Sequence, residues 1–222
     1  MTSRTETPQA EHRPRIGLWI TAAGLLAVGV LAIVFFTNRG AGSSSTGTGS
    51  GKFRFAVGTP GPGAQAPEIR LTANDGSMFD LAAKRGGNVL LYFQEGVGCQ
   101  PCWDQMTDIE KHRGDFQTLG INEVVSITSS PADQVKEKAS QEHIKIPVLS
   151  DPDLVVSRRY QANNFGMMGD QMDGHSFVLV GPDGTIRWRA DYGGEPDYTM
   201  YVPSASLLAD IRAGLAGSKG GA

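Results

Sequence analysis

The longest apolar stretch comes early and carries no charge: residues 16–36 read IGLWITAAGLLAVGVLAIVFF. At about 1.5 Å per residue, a helix of that length spans the ~30 Å hydrocarbon layer of a bilayer. Trp19, Phe35 and Phe36 lie near its ends, where aromatic rings suit the interface. A cleaved signal peptide has a shorter apolar core, about 7–15 residues, ending in a small-x-small site. Here Thr37, Asn38 and Arg39 follow a longer core, so the pattern predicts an uncleaved transmembrane anchor. Residues 1–15 are polar without an apolar period, as in a disordered tail. Arg13 and Arg15 flank one end closely and Arg39 the other, so the positive-inside rule puts the N-terminus in the cytoplasm. The expectation is a single-pass plasma-membrane protein with everything after Arg39 outside the cytoplasm.

Residues 37–65 are rich in Gly, Ser, Thr and Pro and read as a flexible linker, with a short run at 52–57 left as interfacial or weakly extended. From residue 66 the pattern changes to alternating strand and helix periods. Residues 68–73 and 78–81 flank an Asn74-Asp75-Gly76 turn, and residues 89–93 form a continuous β-branched and aromatic run, as in a strand buried on both faces. Helical spacing follows over 102–113, a strand over 123–128, a helix over 133–142 and a strand over 146–149. A short helix over 153–160, strands at 176–180 and 185–190 around Gly181-Pro-Asp-Gly184, and a helix over 204–215 complete the series. This order predicts an α/β domain at 66–216 with a mixed sheet flanked by helices, then a disordered tail at 217–222.

Composition changes this picture little. The chain has 40% hydrophobic and 19% charged residues and a net charge of −3, which gives no reason to expect nucleic-acid binding. The cysteines matter more, because there are only two, Cys99 and Cys102. A pair three positions apart closes too short a loop to staple a fold, which leaves a reversible dithiol, half a metal site, or coincidence. The pair lies where the 89–93 strand gives way to a helix, and a helix N-terminus favours an anion, which here can be a thiolate. The pattern therefore points first to redox chemistry.

In this order the pieces resemble the thioredoxin-like superfamily, specifically its redoxin group of peroxiredoxins, alkyl hydroperoxide reductase/thiol-specific antioxidant proteins and membrane-tethered thiol-disulfide oxidoreductases. The resemblance runs over residues 66–215. It is carried by Ala66-Pro67, Leu71, Asp75-Gly76, the strand before Cys99-Gln-Pro-Cys102, Ser150-Asp-Pro-Asp153, and Ser176-Phe-Val-Leu-Val-Gly-Pro-Asp-Gly184. It implies a thioredoxin-like fold and a redox-active Cys99–Cys102 disulfide, with Cys99 as nucleophile and Cys102 as resolving thiol. Departures are clear. Gly98 stands where thioredoxins have Trp, and Gly174-His175-Ser176 occupies the usual place of a cis-Pro. If Cys102 is laid on a peroxidatic cysteine, the Pro of the peroxiredoxin loop falls on Glu95 and its Thr on Cys99, and the family's Arg has no match near Gly174.

Around the pair, Pro101 removes an N–H that the first helical turn leaves unpaired anyway. Glu95 reads either as a proton acceptor for Cys99 or as a solvated loop residue, and Trp103 as packing at the rim of the site. Residues 163–175 end in Gly174-His175, which in the resembled fold faces the cysteines. The methionines of this stretch, Met167, Met168 and Met172, read as a flexible loop, as an adaptable substrate-binding surface, or with His175 and the cysteines as soft ligands for Cu(I). His12, His112 and His143 have no second ligand at metal spacing and read as structural or surface residues. Residues 191–201, rich in Tyr and Gly, suit a partner contact, though a connection to the last helix is simpler. The reading favoured is an extracytoplasmic thiol-disulfide oxidoreductase without a cofactor or metal, served by an electron-donor partner and acting on a protein disulfide or a small thiol or peroxide. Its alternatives are a peroxiredoxin-like thiol peroxidase and a Cu(I)-binding assembly factor.

Overall fold

The apolar run at residue 89 becomes the middle of a sheet. In the computed structural model, which describes residues 45–47 and 52–217, β5 (Val89–Gln94) is buried at every position. On one side it pairs in parallel with β6 (Glu123–Thr128), which pairs in parallel with β7 (Val148–Ser150). On the other it pairs antiparallel with β8 (Ser176–Val180), and β8 with β9 (Ile186–Asp191). Successive β5 side chains point to opposite faces, and both faces are covered. Leu90 and Tyr92 join a core with Trp103, Phe116 and Ile211, while Leu91 and Phe93 join another with Ile127, Val156 and Tyr160. Two-sided burial is why the run is continuous rather than alternating. A hairpin of β3 (Arg70–Thr72) and β4 (Met78–Asp80) adds Leu71 and Phe79 to the second core.

The helices follow their periods. In α1 (Gln100–Lys111), Cys102, Trp103, Met106 and Ile109 form the buried stripe. The chain turns at His112, with φ −105° and ψ 17°, and begins α2 (Arg113–Thr118) instead of continuing one helix to 113. Phe116 of α2, Val135 of α3 (Ala132–Gln141) and Leu207 of α5 (Ser204–Gly217) pack on the same face as α1. Val156 of α4 (Val155–Arg159) packs on the other. The expected mixed α/β architecture with a central sheet is therefore borne out.

One expectation is corrected. Residues 52–65, read as part of a flexible linker, are built into the domain. Within them β2 (Phe55–Val57) pairs antiparallel with β9 and with β1 (Ser45–Gly47), so the sheet runs β1-β2-β9-β8-β5-β6-β7. The Phe55 ring meets Tyr192 edge-on at 5.4 Å. The fully buried Arg189–Asp191 ion pair, 2.8 Å apart, accounts for the fixation. Asp191 accepts the Gly58 N–H at 2.7 Å, and Arg189 donates to the Pro60 carbonyl at 3.0 Å. A Cβ at Gly58 would meet Arg189 Nη2 at 2.7 Å, so the close approach needs glycine. Composition reads such a stretch as a tether, because its partners lie on a strand far along the chain. Among the described residues no helix is long and apolar enough to cross a membrane. The anchor expected at 16–36, the tail at 1–15, linker residues 37–44 and 48–51, and residues 218–222 lie outside the described residues.

Candidate active site

The site is made at the end of β5. Gly96 adopts φ +113°, and a Cβ there would run into Ser130 Oγ, so this turn requires glycine. Its N–H is held by Gln94 Oε1 at 2.7 Å, and its carbonyl accepts the Cys99 N–H at 3.1 Å and the Trp103 indole N–H at 3.1 Å. Ser130 accepts the Val97 N–H at 3.0 Å. These bonds deliver Cys99 to the N-cap position of α1, with Pro101 in the first turn and no side-chain cap present. Unpaired N–H groups and the helix dipole there favour negative charge on the Cys99 sulfur. Cys99 and Cys102 are joined as a disulfide, with Cα atoms 5.4 Å apart. The pair is unequal: Cys99 keeps 9% of its surface exposed and Cys102 none. Gly98, Gln100 and Pro101 around Cys99 are exposed.

Trp103 lies fully inside the core rather than at the rim. Its indole N–H must find a partner there, and the Gly96 carbonyl supplies it, so Trp103 shapes the cysteine turn from beneath.

The register opposing Phe93 to Ser176 brings residues 173–175 alongside the end of β5. His175, fully buried, takes the place just before β8, and its Nδ1 lies 3.0 Å from the Tyr92 hydroxyl. Tyr92 stacks on Phe177 at 4.5 Å. Burial, then the charge of Glu95, holds the Tyr92 phenol well above its ordinary range, while burial pushes His175 down to about 3. His175 is thus a neutral imidazole at physiological pH. Glu95 is neither solvated nor turned out: it is buried, and Oε1 accepts the Met167 N–H at 2.9 Å. The bond ties the methionine loop to the cysteine turn. Gly174 lets that loop close, because a Cβ there would collide with the Phe165 carbonyl. Met167 and Met168 are more than half exposed, and Met172 is half-buried. The structure therefore gathers Glu95, Gly174, His175 and the methionine loop beside the cysteine turn. Among the described residues no three His, Cys, Asp or Glu side chains come together as a metal site.

Residues not singled out from sequence also belong here. Met200 and Tyr198 pack on the two cysteines; their signal was the Tyr- and Met-containing 191–201 stretch, whose local pattern names no partner. Asp173 is fully buried, and neither carboxyl oxygen has a hydrogen-bond partner among the described residues. Burial holds it well above the carboxylate range, opposed by the nearby Ser157 hydroxyl and reinforced by Asp151. The Ser157 hydroxyl gives its proton to Asp151, at 2.7 Å.

Asp173 and His175 have opposite pH linkage. Above about pH 4, while Asp173 stays protonated in the folded chain, unfolding releases a proton there, and up to about pH 6.5 it takes one up at His175, so where both hold the two effects cancel. Below about pH 4 only His175 contributes, and stability falls toward pH 3. Asp173→Asn removes the first contribution. Relative to the parent, the variant should gain stability as pH rises above about 4, by up to about 1.4 kcal/mol per pH unit, until Asp173 ionises in the folded parent. Urea melts at several pH values measure this, and a pH-independent difference would show that Asp173 is not a buried neutral acid.

Residues 62–189 match the sequence profile of the AhpC/TSA family. "Putative peroxiredoxin Rv2521" of Mycobacterium tuberculosis H37Rv is 33% identical over 127 residues, covering 56% of this chain and 80% of its own length. Among solved structures, peroxidoxin BcpB of M. tuberculosis superposes with a TM-score of 0.57 at 18% identity, over 68% of this chain and 96% of its own. Enterococcus faecalis AhpC gives 0.60 at 17% identity, over 72% and 96%. At such identities the two structures attest the fold.

Proposed function

This chain belongs to the AhpC/TSA family, and from that premise we propose that it is a membrane-anchored thiol-disulfide oxidoreductase working outside the cytoplasm. The observation that supports this most is the unequal pair at the start of α1: Cys99 keeps 9% of its surface exposed and its partner Cys102 none. In the dithiol form, the Cys99 thiolate attacks a substrate disulfide, one substrate sulfur leaves as a thiolate and takes a proton, and a mixed disulfide remains at Cys99. Cys102 loses its proton and attacks the Cys99 sulfur, the second substrate thiolate leaves, and the Cys99–Cys102 bond closes. Two electrons have passed to the substrate. A dithiol donor restores them by the reverse exchange, and no cofactor takes part.

Cys102→Ser should arrest the cycle at the mixed disulfide. Incubated with a protein disulfide, the full-length variant should accumulate substrate joined to Cys99, seen by non-reducing electrophoresis and mass spectrometry. A substrate adduct forming faster on Cys102 in Cys99→Ser would reverse the assigned roles.

The family favours a second reading, a thiol peroxidase, which ends at the same bond. Cys99 attacks the peroxide, an alcohol or water leaves, and Cys102 displaces water from the resulting sulfenic acid. Against it, the loop Thr of that family has a counterpart only if Cys102 is taken as the peroxidatic cysteine, and then the place holds Cys99, while the family's Arg has no match near Gly174. Stopped-flow rates of the reduced protein with hydrogen peroxide and with a protein disulfide decide between the readings. A peroxide rate above that of a free thiol, together with slow disulfide exchange, favours the peroxidase.

The location rests on the uncharged 16–36 stretch and its arginine flanks. Labelling of the reduced cysteines in intact cells by a membrane-impermeant maleimide tests it.

A further inference from the structure

Met200 retains 8% of its surface and, with half-buried Tyr198, packs on Cys99 and Cys102 as an apolar cluster separate from the two main cores. Both residues lie beyond residues 62–189, so the family-matched part of the chain does not supply this cover. The loop that carries them is fixed. The Tyr198 N–H bonds to the Gly194 carbonyl at 3.0 Å, and the Thr199 N–H to the Tyr192 carbonyl at 3.2 Å. Beyond Met200, Gln105 Oε1 accepts the Val202 N–H at 2.7 Å and Asp108 Oδ2 the Ser204 N–H at 2.7 Å. Gln105 and Asp108 both belong to α1. The helix that carries Cys102 therefore also holds the loop that lies over the pair.

Thiol-disulfide exchange depends on which sulfur an incoming group can reach. Cys99 keeps 9% of its surface beside the exposed Gly98, Gln100 and Pro101, whereas Cys102 keeps none and shares its apolar cluster with Met200, so access to the two cysteines is asymmetric. We propose that Met200 is a specificity-determining residue: it shields the Cys102 sulfur, so that external thiols and disulfides exchange only at Cys99. An incoming thiolate then attacks Cys99, the Cys99–Cys102 bond breaks, and its electron pair leaves on Cys102. A second thiolate attacks the sulfur joined to Cys99 and releases a disulfide and the dithiol enzyme. Attack at Cys102 would instead leave the adduct on the buried sulfur. The proposal rests on the reading of Cys99 as the nucleophile.

The test uses reduced full-length protein in Cys99→Ser and Cys102→Ser backgrounds, each with Met200, Met200→Ala or Met200→Leu. Alkylation by iodoacetamide is followed from pH 6 to 10, so that the plateau rate of the full thiolate separates access from thiolate fraction. Met200→Ala should raise the plateau rate of Cys102 at least about tenfold. Met200→Leu should leave it within about twofold, and neither should change Cys99 more than about threefold. Circular dichroism checks folding, with Met200→Val as the milder truncation should alanine loosen the loop. An unchanged Cys102 rate, or equal acceleration of both cysteines, overturns the role of Met200. Cys102 alkylating faster than Cys99 while Met200 is present overturns the nucleophile reading instead.

Discussion

Cys99→Ser should abolish turnover. A hydroxyl in place of the Cys99 sulfur cannot form the mixed disulfide or the sulfenic acid, so both proposed reactions lose their first step. Disulfide and peroxide reduction should fall by at least about 10³-fold, as expected when a covalent nucleophile is removed. The substitution is nearly isosteric, and the turn is held by Gly96, Trp103 and Ser130 rather than by the sulfur. Loss of so short a cross-link costs at most about 2 kcal/mol. Reduced parent protein is therefore the control for stability, and kcat/KM for a protein disulfide is the measurement. Activity within about tenfold of the parent would remove Cys99 from the mechanism.

Asp191→Ala should cost about 3–5 kcal/mol of stability, because it leaves the Arg189 guanidinium buried without its counter-charge. In a domain of this size each kcal/mol moves the melting temperature by about 2–4 °C, so a fall on the order of 10 °C is expected. The same change removes the acceptor of the Gly58 N–H. The 52–61 segment should then become a site of limited proteolysis while the disulfide and the central strands stay intact. The double replacement Arg189→Met with Asp191→Leu should be milder than Asp191→Ala alone, since it strands no charge. If Asp191→Ala melts within about 2 °C of the parent, the buried pair does not anchor the segment.

Much of this was legible in the sequence, where the information is local. The two-sided run at 89–93, the strands at 123–128 and 176–180, and the helical stripe from Cys102 to Ile109 follow from side-chain period alone. So does the place of the cysteines at a strand-to-helix junction, while the resemblance to a redoxin rests on the Cys99-Gln-Pro-Cys102 motif and the segments around it. What failed locally depended on distant partners. Arg189 and Asp191 pair in the interior and hold residues that composition assigns to a tether. Glu95, four residues before Cys99, reads as a proton acceptor or a solvated loop residue, but it is buried and its carboxylate accepts the Met167 N–H.

The sequence by itself determined the chemistry available: two thiols, three positions apart, where the start of a helix favours a thiolate. Period and spacing encode that, because both are properties of neighbours along the chain. Only the tertiary structure decided the inequality of the two sulfurs. It buries Cys102 completely, holds neutral His175 against the Tyr92 hydroxyl, and packs Met200 in one cluster with the pair. Burial is a property of what packs against a residue, and the groups that pack here come from the far end of the chain.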